Sequence, residues 1–436
     1  MKSGISIKYN TLSDLAPATI MNGSILFKTD KPLFLQTAGL FIFAAALPFS
    51  VSLIQGGILL FIAAGLWRRY HSVTLSTLPG EIKANPLFLP WVIYLTAGIL
   101  AAAFGIHPAR SFTALNSDLL TAVTFLGLCV SMEPGQRETA LKIYLAAITA
   151  AAVCGIIQAL GGLAHGLDVR AHATHHPVRF GEIMVIGLAL VLSLASSPDS
   201  LPPRLKKVFY ASALLIISAV ILSQTRGAYL GMALVFTALL AIKRPAKSVV
   251  IPLIAAAAAL GLGLSILNPT IRFKLGSIAK GASSVVDTSV KAPDQNINTR
   301  LVLWKTGFKM IKDRPVFGAG PAGVKTLFPL YCPKPYPEQV LWGSLHNLYI
   351  HQTAERGFVG LAALAALFAG MFLIALRRLR AAPSAHTTWA LAIMAPWFLM
   401  NMTEITFQHV HTSYAVLLAL AVAITASKKE GIPPEQ

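Results

Sequence analysis

The sequence predicts an all-α polytopic membrane protein, and three observations carry that reading. Charge is scarce, apolar runs are long and numerous, and the basic residues fall on alternate loops. The chain has 436 residues, 55% of them hydrophobic and only 12% charged, with a mean hydropathy of +0.66. A water-soluble domain carries about a quarter charged residues, so lipid must solvate much of this chain. The formal net charge of +19 fits the scarcity of charge if the few charges are mostly Lys and Arg in loops between spans. The three cysteines, Cys129, Cys154 and Cys332, have neither metal-ligand nor redox spacing, so neither a disulfide framework nor a zinc site is expected.

A spanning helix needs about 20 mainly apolar residues, and reading for such runs gives about twelve candidates. They lie near 33–49, 51–67, 87–105, 113–131, 140–160, 181–198, 208–224, 226–242, 249–268, 358–376, 387–403 and 412–427. The N-terminal arm lacks the charged, apolar and cleavage regions of a signal peptide, so the first run is expected to stay in the protein. One integrated unit is expected: an N-terminal bundle over 1–268, a long loop over 269–345 and a C-terminal membrane segment over 346–436.

Orientation follows from short-loop basic residues. Arg68-Arg69 with Lys83, Arg137 with Lys142, Arg204 with Lys206-Lys207, Lys243-Arg244 with Lys247, Arg377-Arg378 with Arg380, and Lys428-Lys429 fall on one side of a twelve-span count. Lys2, Lys8, Lys28 and Lys31 in the N-terminal arm join them. Both termini are therefore expected in the cytoplasm. The other short loops hold only Arg110, Arg170, Arg179 and Arg226.

The long loop is extracytoplasmic on this reading, and a loop of that length is usually functional or disordered. Within it, Leu301, Trp304, Phe308 and Ile311 recur at helical spacing, with Lys305, Lys309 and Lys312 on other faces. That pattern predicts an amphipathic interfacial helix, closed by Pro315. Gly318-Ala-Gly-Pro-Ala-Gly323 follows as a turn-forming stretch, then a segment rich in Pro and Tyr.

An arginine near the membrane plane is costly unless it meets an anion or a watery cavity. Arg226 sits in Ser223-Gln-Thr-Arg-Gly, Arg179 in His175-His-Pro-Val-Arg, and Arg300 at the start of the amphipathic helix. Guanidinium forks match phosphate oxygens in pairs, so a convergent set suits a lipid diphosphate. Taken singly, Arg179 and Arg300 are equally explained by snorkelling to headgroups, and Arg110 and Arg170 lean that way; at Arg226 the flanking glycine and small residues, which allow close backbone approach, favour the phosphate reading. A second group, Ser344-Leu-His346-Asn347, closes the loop where the next helix begins. A neutral imidazole there can accept a proton from an attacking sugar hydroxyl; it can equally cap the helix or bond a loop carbonyl.

His346-Asn347, nine residues, then Gly357-x-x-Gly360 resembles the signature of the superfamily of O-antigen ligases, O-antigen polymerases and pilin oligosaccharyltransferases. The Ser-Gln-Thr-Arg-Gly-Ala stretch around Arg226 is similar to that family's arginine segment. Arg300 with Trp304, then Gly318-Ala-Gly320, is similar to the start of its long periplasmic loop. The resemblance implies a GT-C-like arrangement of about twelve transmembrane helices with one long periplasmic loop containing short helices, in the bacterial inner membrane. It implies an undecaprenyl-diphosphate-linked glycan as donor, with lipid A–core as acceptor for a ligase and membrane lipids as surroundings. It implies no nucleic-acid partner, no cofactor and no metal. Arg226 and Arg300 would hold the donor diphosphate, Arg179 less securely, and His346 would be the base of an inverting displacement. Asn347, Gly357, Gly360, Trp304 and Glu404 would support them.

Glu404 matches an acidic position the family often has before its last span, although His409 and His411 beside it depart from the pattern. His172, His175 and His176 lack a carboxylate or cysteine to complete a metal set and read as a polar loop. A ligase is favoured over a polymerase by the likeness of the Arg300–Gly320 and His346–Gly360 stretches. The pilin-modifying activity is disfavoured because the chain stops soon after Lys428-Lys429. A secondary transporter would also suit twelve spans, but it predicts paired repeats and polar residues at mid-membrane, and neither is evident.

Overall fold

The computed structural model describes residues 30–196, 203–242, 247–277, 295–333 and 341–426. Lys2, Lys8, Lys28, Lys243-Arg244, Lys428-Lys429 and the second half of the Pro- and Tyr-rich stretch lie outside the described residues. The described chain is almost wholly α-helical. In order the helices are α1 Lys31–Ala46, α2 Val51–His71, α3 Leu78–Lys83, α4 Phe88–Ala103, α5 Pro108–Ala114, α6 Asn116–Ser131, α7 Pro134–Ala164, α8 Pro177–Ala195 and α9 Pro203–Leu222. There follow α10 Arg226–Ile242, α11 Lys247–Leu267, α12 Pro269–Gly276, α13 Gln295–Asp313, α14 Gly323–Tyr331, α15 Leu348–Ala381, α16 Ala385–Ala392, α17 Met394–Met400 and α18 Val410–Ala426.

The expectation of about twelve spans is overturned. Among the described residues, seven helices are long and apolar enough to cross a membrane, or eight if a bent pair counts as one span. The reason lies in where the helices stop, which an apolar window does not see. α1, α10 and α18 have 16, 17 and 17 residues. At 1.5 Å per residue they reach only about 24–26 Å, short of a hydrocarbon core of about 30 Å. The run at 387–403 breaks at Ile393 into α16 and α17, of 8 and 7 residues. The chain from Leu75 to Ala103 bends by 82° between α3 and α4.

Helix packing uses small residues where backbones touch. A Cβ on Gly39 of α1 would lie 2.5 Å from the Phe61 nitrogen, and one on Gly57 of α2 would lie 2.6 Å from the Phe43 nitrogen. Such contact is how helices associate where lipid removes the hydrophobic drive between them. α18 is buried from His411 to Thr425 and forms the centre of the bundle.

The two ends of the bundle differ in charge. At one end Arg69 pairs with both carboxylate oxygens of Glu81 at 2.8 Å. Nearby Arg68 bonds Glu133, and His386 lies 3.7 Å from Glu138. The C-terminus of α15, with Arg378 and Arg380, belongs to this end. At the other end the α1–α2 turn meets the loop before α8: Thr174 Oγ1 donates to the Phe49 carbonyl at 2.7 Å, and His175 Nε2 donates to the Pro48 carbonyl at 2.9 Å. The second end carries the site described below.

The helix anticipated at Arg300 exists but begins at Gln295 and is rotated from the expected face. It buries Ile297, Leu303, Thr306, Gly307 and Met310, while Phe308 is 57% exposed. Gly307 explains the rotation. A Cβ there would sit 2.6 Å from side-chain carbons of Ile350 and Leu345, so close approach at Gly307 selects the inward face. A second apolar cluster forms around Leu303, Met310, Val324, Phe328 and Leu345, with Trp304 partly buried against it.

Candidate active site

A cavity of about 420 Å³ opens at the less basic end, between the loop before α8, the start of α10, helix α12, the start of α13 and the turn before α15. His346 lines one wall. Its backbone has φ +46°, a left-handed conformation that costs a non-glycine residue roughly 1–2 kcal/mol. Two contacts hold it there. The His346 N–H donates to Ser344 Oγ at 3.0 Å. Next to it, Asn347 caps α15 by accepting from the Ile350 N–H at 3.1 Å.

Glu404 joins His346 to Arg300. His346 Nδ1 lies 2.8 Å from Glu404 Oε2, and Arg300 Nη2 donates to Glu404 Oε1 at 3.2 Å. A carboxylate only accepts, so Nδ1 carries the imidazole proton. Nε2 is left without a protein partner among the described residues, as an acceptor at the cavity. Burial would push the Glu404 carboxyl up. The hydrogen bond from His346 and the charge of Arg300 outweigh it and hold the group below the usual carboxylate range. The Leu348 N–H donates to the carbonyls of Asn401 and Glu404 at 2.8 and 3.1 Å, so backbone bonds fix the distance between the two side chains. Trp342 stands edge-on to the imidazole, ring centroids 5.3 Å apart.

The facing wall is cationic. Arg226 begins α10 and sends Nε and Nη2 to Ser277 Oγ at 3.1 and 2.6 Å. Lys274 on α12 lines the cavity beside it. Arg170 donates to the Ser223 and Gln224 carbonyls at 2.9 and 3.4 Å and to Thr225 Oγ1 at 3.0 Å. These bonds brace the turn before Arg226, where Gln224 has φ +51°. Asp168, just outside the cavity, accepts from Gln224 Nε2 at 2.7 Å and Asn268 Nδ2 at 3.0 Å. Burial would raise its carboxyl, but hydrogen bonds from Asn268, Gln224 and Thr270 and the charge of Lys274 carry it below its usual value. His176 also lines the cavity; burial first, then the charge of Arg170, pushes its imidazole toward the neutral form.

The glycine motifs join the segment after α13 to α15. Gly357 interrupts α15 with φ +64° and ψ −170°, a region essentially confined to glycine. The break admits the segment after α13. Phe358 and Val359 N–H groups donate to the Pro315 and Val316 carbonyls at 2.7 and 3.3 Å, while Ala319 and Gly320 N–H groups donate to Ala354 and Glu355 carbonyls at 3.0 and 2.8 Å. Gly318 and Gly320 have φ +68° and +91°. Gly360 gives room to the Arg356 side chain. The two glycine motifs are therefore the two halves of one backbone crossing.

Of the residues anticipated from sequence, His346, Arg300, Arg226 and Glu404 line one cavity. Arg179 is exposed and outside the lining, and its charge acts on His175 and His176. Trp304 packs in the second apolar cluster; Trp342 is the tryptophan at the cavity. Sequence reasoning read Arg170 as snorkelling to headgroups, whereas it binds the Ser223–Thr225 turn at the cavity, and it did not single out Lys274. Lys274 had a usable signal, the Asn268-Pro269 helix start. Among the described residues no group of three or more His, Cys, Asp or Glu stands close enough to hold a metal ion.

Residues 211–365 match the family model described as O-antigen ligase. The matched stretch runs from α9 into α15 and contains Arg226, Arg300 and His346, while Arg170 and Glu404 fall outside it. A comparison with curated proteins finds no match.

Proposed function

We propose that this protein is an O-antigen ligase of the bacterial inner membrane. It moves glycan from an undecaprenyl-diphosphate carrier to lipid A–core at the periplasmic face. The observation that carries the reading is the Arg300–Glu404–His346 chain of contacts at a cation-lined cavity, within and beside the segment that matches the family. The periplasmic location is supported by the concentration of basic loops at the other end of the bundle, since such loops are retained in the cytoplasm.

The reaction is a single inverting displacement. His346 Nε2 takes the proton of an acceptor hydroxyl as its oxygen attacks the anomeric carbon. The bond from that carbon to the diphosphate breaks, and its electron pair leaves with the diphosphate. Glu404 orients the imidazole and stabilises the imidazolium that forms. Arg226 and Arg300 bind the diphosphate, and their charge stabilises it as it departs. A base of this kind contributes about 10²–10⁴-fold. The cationic wall performs the charge neutralisation for which other transferases use a metal.

Deletion of the gene, followed by lipopolysaccharide analysis, tests the reading. Uncapped lipid A–core with full-length glycan accumulating on the carrier is the expected result. Single-repeat caps would assign a polymerase instead, unglycosylated pilin with normal lipopolysaccharide a protein-modifying enzyme, and unchanged glycans of every kind would remove the proposal altogether. The arginines separate in a finer experiment. Arg226→Gln should raise the KM for donor about 10- to 100-fold, the worth of a charge-assisted hydrogen-bond pair. Arg179→Gln, outside the cavity lining, should change it less than about threefold. Equal effects of the two substitutions would contradict the assignment.

A further inference from the structure

We propose that Lys274 is a further ligand of the donor diphosphate, seated at the cavity by Asp168 acting as a positioning residue. The inference rests on the donor reading above and extends it to a helix that lies in the long loop by sequence. α12 is placed by two anchors. Ile271 is fully buried. Asn268 caps the helix, its side-chain carbonyl accepting from the Thr270 and Ile271 N–H groups at 2.9 and 3.2 Å. The same side chain uses its amide to reach Asp168 Oδ1 at 3.0 Å, and that oxygen also accepts from Gln224 at 2.7 Å. One carboxylate oxygen thus joins α12 to the turn that presents Arg226.

The connection is doubled from the other direction. The Arg226 guanidinium reaches Ser277 just past the end of α12 and lies 5.9 Å from the centroid of the Phe273 ring. Lys274 stands between those two residues in sequence and lines the cavity with Arg226. Ser277 Oγ in turn donates to the Lys274 carbonyl at 3.2 Å. Arg170, Arg226, Lys274 and Arg300 therefore share one cavity, whose lining among the described residues includes a single acidic side chain, Glu404. Glu404 is already shared between Arg300 and His346. A phosphate pair is the anion that suits two adjacent cations, one forked and one a point charge.

The test measures binding of undecaprenyl diphosphate and undecaprenyl monophosphate to the purified full-length protein in detergent. Lys274→Gln should weaken the diphosphate lipid about tenfold and the monophosphate lipid less than about threefold, with Lys274→Arg restoring most of the loss. Asp168→Ala should reproduce the Lys274→Gln pattern without moving monophosphate binding, which also reports that the variants are folded. Equal losses for both lipids, or none, overturn the role of Lys274 and leave the donor reading standing. Failure of the unaltered protein to bind the diphosphate lipid overturns both. Phosphatidylglycerol displacing the diphosphate lipid, with an affinity that also falls in Lys274→Gln, would assign the lysine to membrane headgroups and sink the proposal.

Discussion

Replacing His346 by alanine is expected to lower the transfer rate about 10²–10⁴-fold, the contribution of a positioned general base, while the donor still binds. The expectation follows from which nitrogen is engaged. Nδ1 is held by Glu404 at 2.8 Å, so the acceptor-side nitrogen is fixed by geometry. Alanine removes that nitrogen and leaves the cationic wall intact, so the loss should appear in kcat rather than in the KM for donor. Glu404→Gln should fall in the same direction, because an amide can donate to Nδ1 and trap the wrong tautomer. The double variant should be little worse than His346→Ala alone, since residues acting as a unit are strongly non-additive. A His346→Ala protein with an unaltered rate would remove the base from the mechanism.

The second large effect is on folding. Gly357→Ala is expected to abolish recovery of monodisperse protein. Its backbone, at φ +64° and ψ −170°, costs any side chain about 1–3 kcal/mol. The new Cβ would also overlap the Val316 carbonyl and approach the Phe317 nitrogen at 2.5 Å, and overpacking against backbone costs roughly 1–3 kcal/mol more. Together, at about 2–6 kcal/mol, these reach the lower end of an ordinary domain's stability of about 5–15 kcal/mol. Gly161→Ala is the control: it lies within α7, and a Cβ there meets nothing within 4 Å. Size-exclusion profiles of the two variants decide the matter. A Gly357→Ala protein as well behaved as Gly161→Ala would show that the backbone crossing does not hold the fold.

The sequence was informative where a residue's type restricts what it can do. His346, Arg226 and Arg300 stood out as polar groups in an apolar chain, Glu404 only through the family resemblance, and the structure gathers the four at one cavity. It was less informative about which arginines share a site. Arg170 and Arg179 have the same type and similar surroundings in sequence. Only the fold turns Arg170 onto the Ser223–Thr225 turn and leaves Arg179 exposed. The number of spans was misread for a related reason. An apolar window measures composition, whereas crossing depends on helix length, and α1, α10 and α18 are each short. The buried ion pair of Asp118 with Arg356, beneath the Gly357 break and over the Tyr94 ring, had no sequence signal at all. It places ionisable groups inside the bundle, where none were expected, because its partners are 238 residues apart.

The central claim is that the cavity carries out glycosyl transfer from a lipid diphosphate. The most direct measurement uses purified protein in detergent with undecaprenyl-diphosphate-linked glycan and lipid A–core. The account predicts glycan on lipid A–core and released undecaprenyl diphosphate in equal amounts, with both lost in His346→Ala. No transfer by the unaltered protein from intact donor and acceptor, or undiminished transfer by His346→Ala, would contradict it.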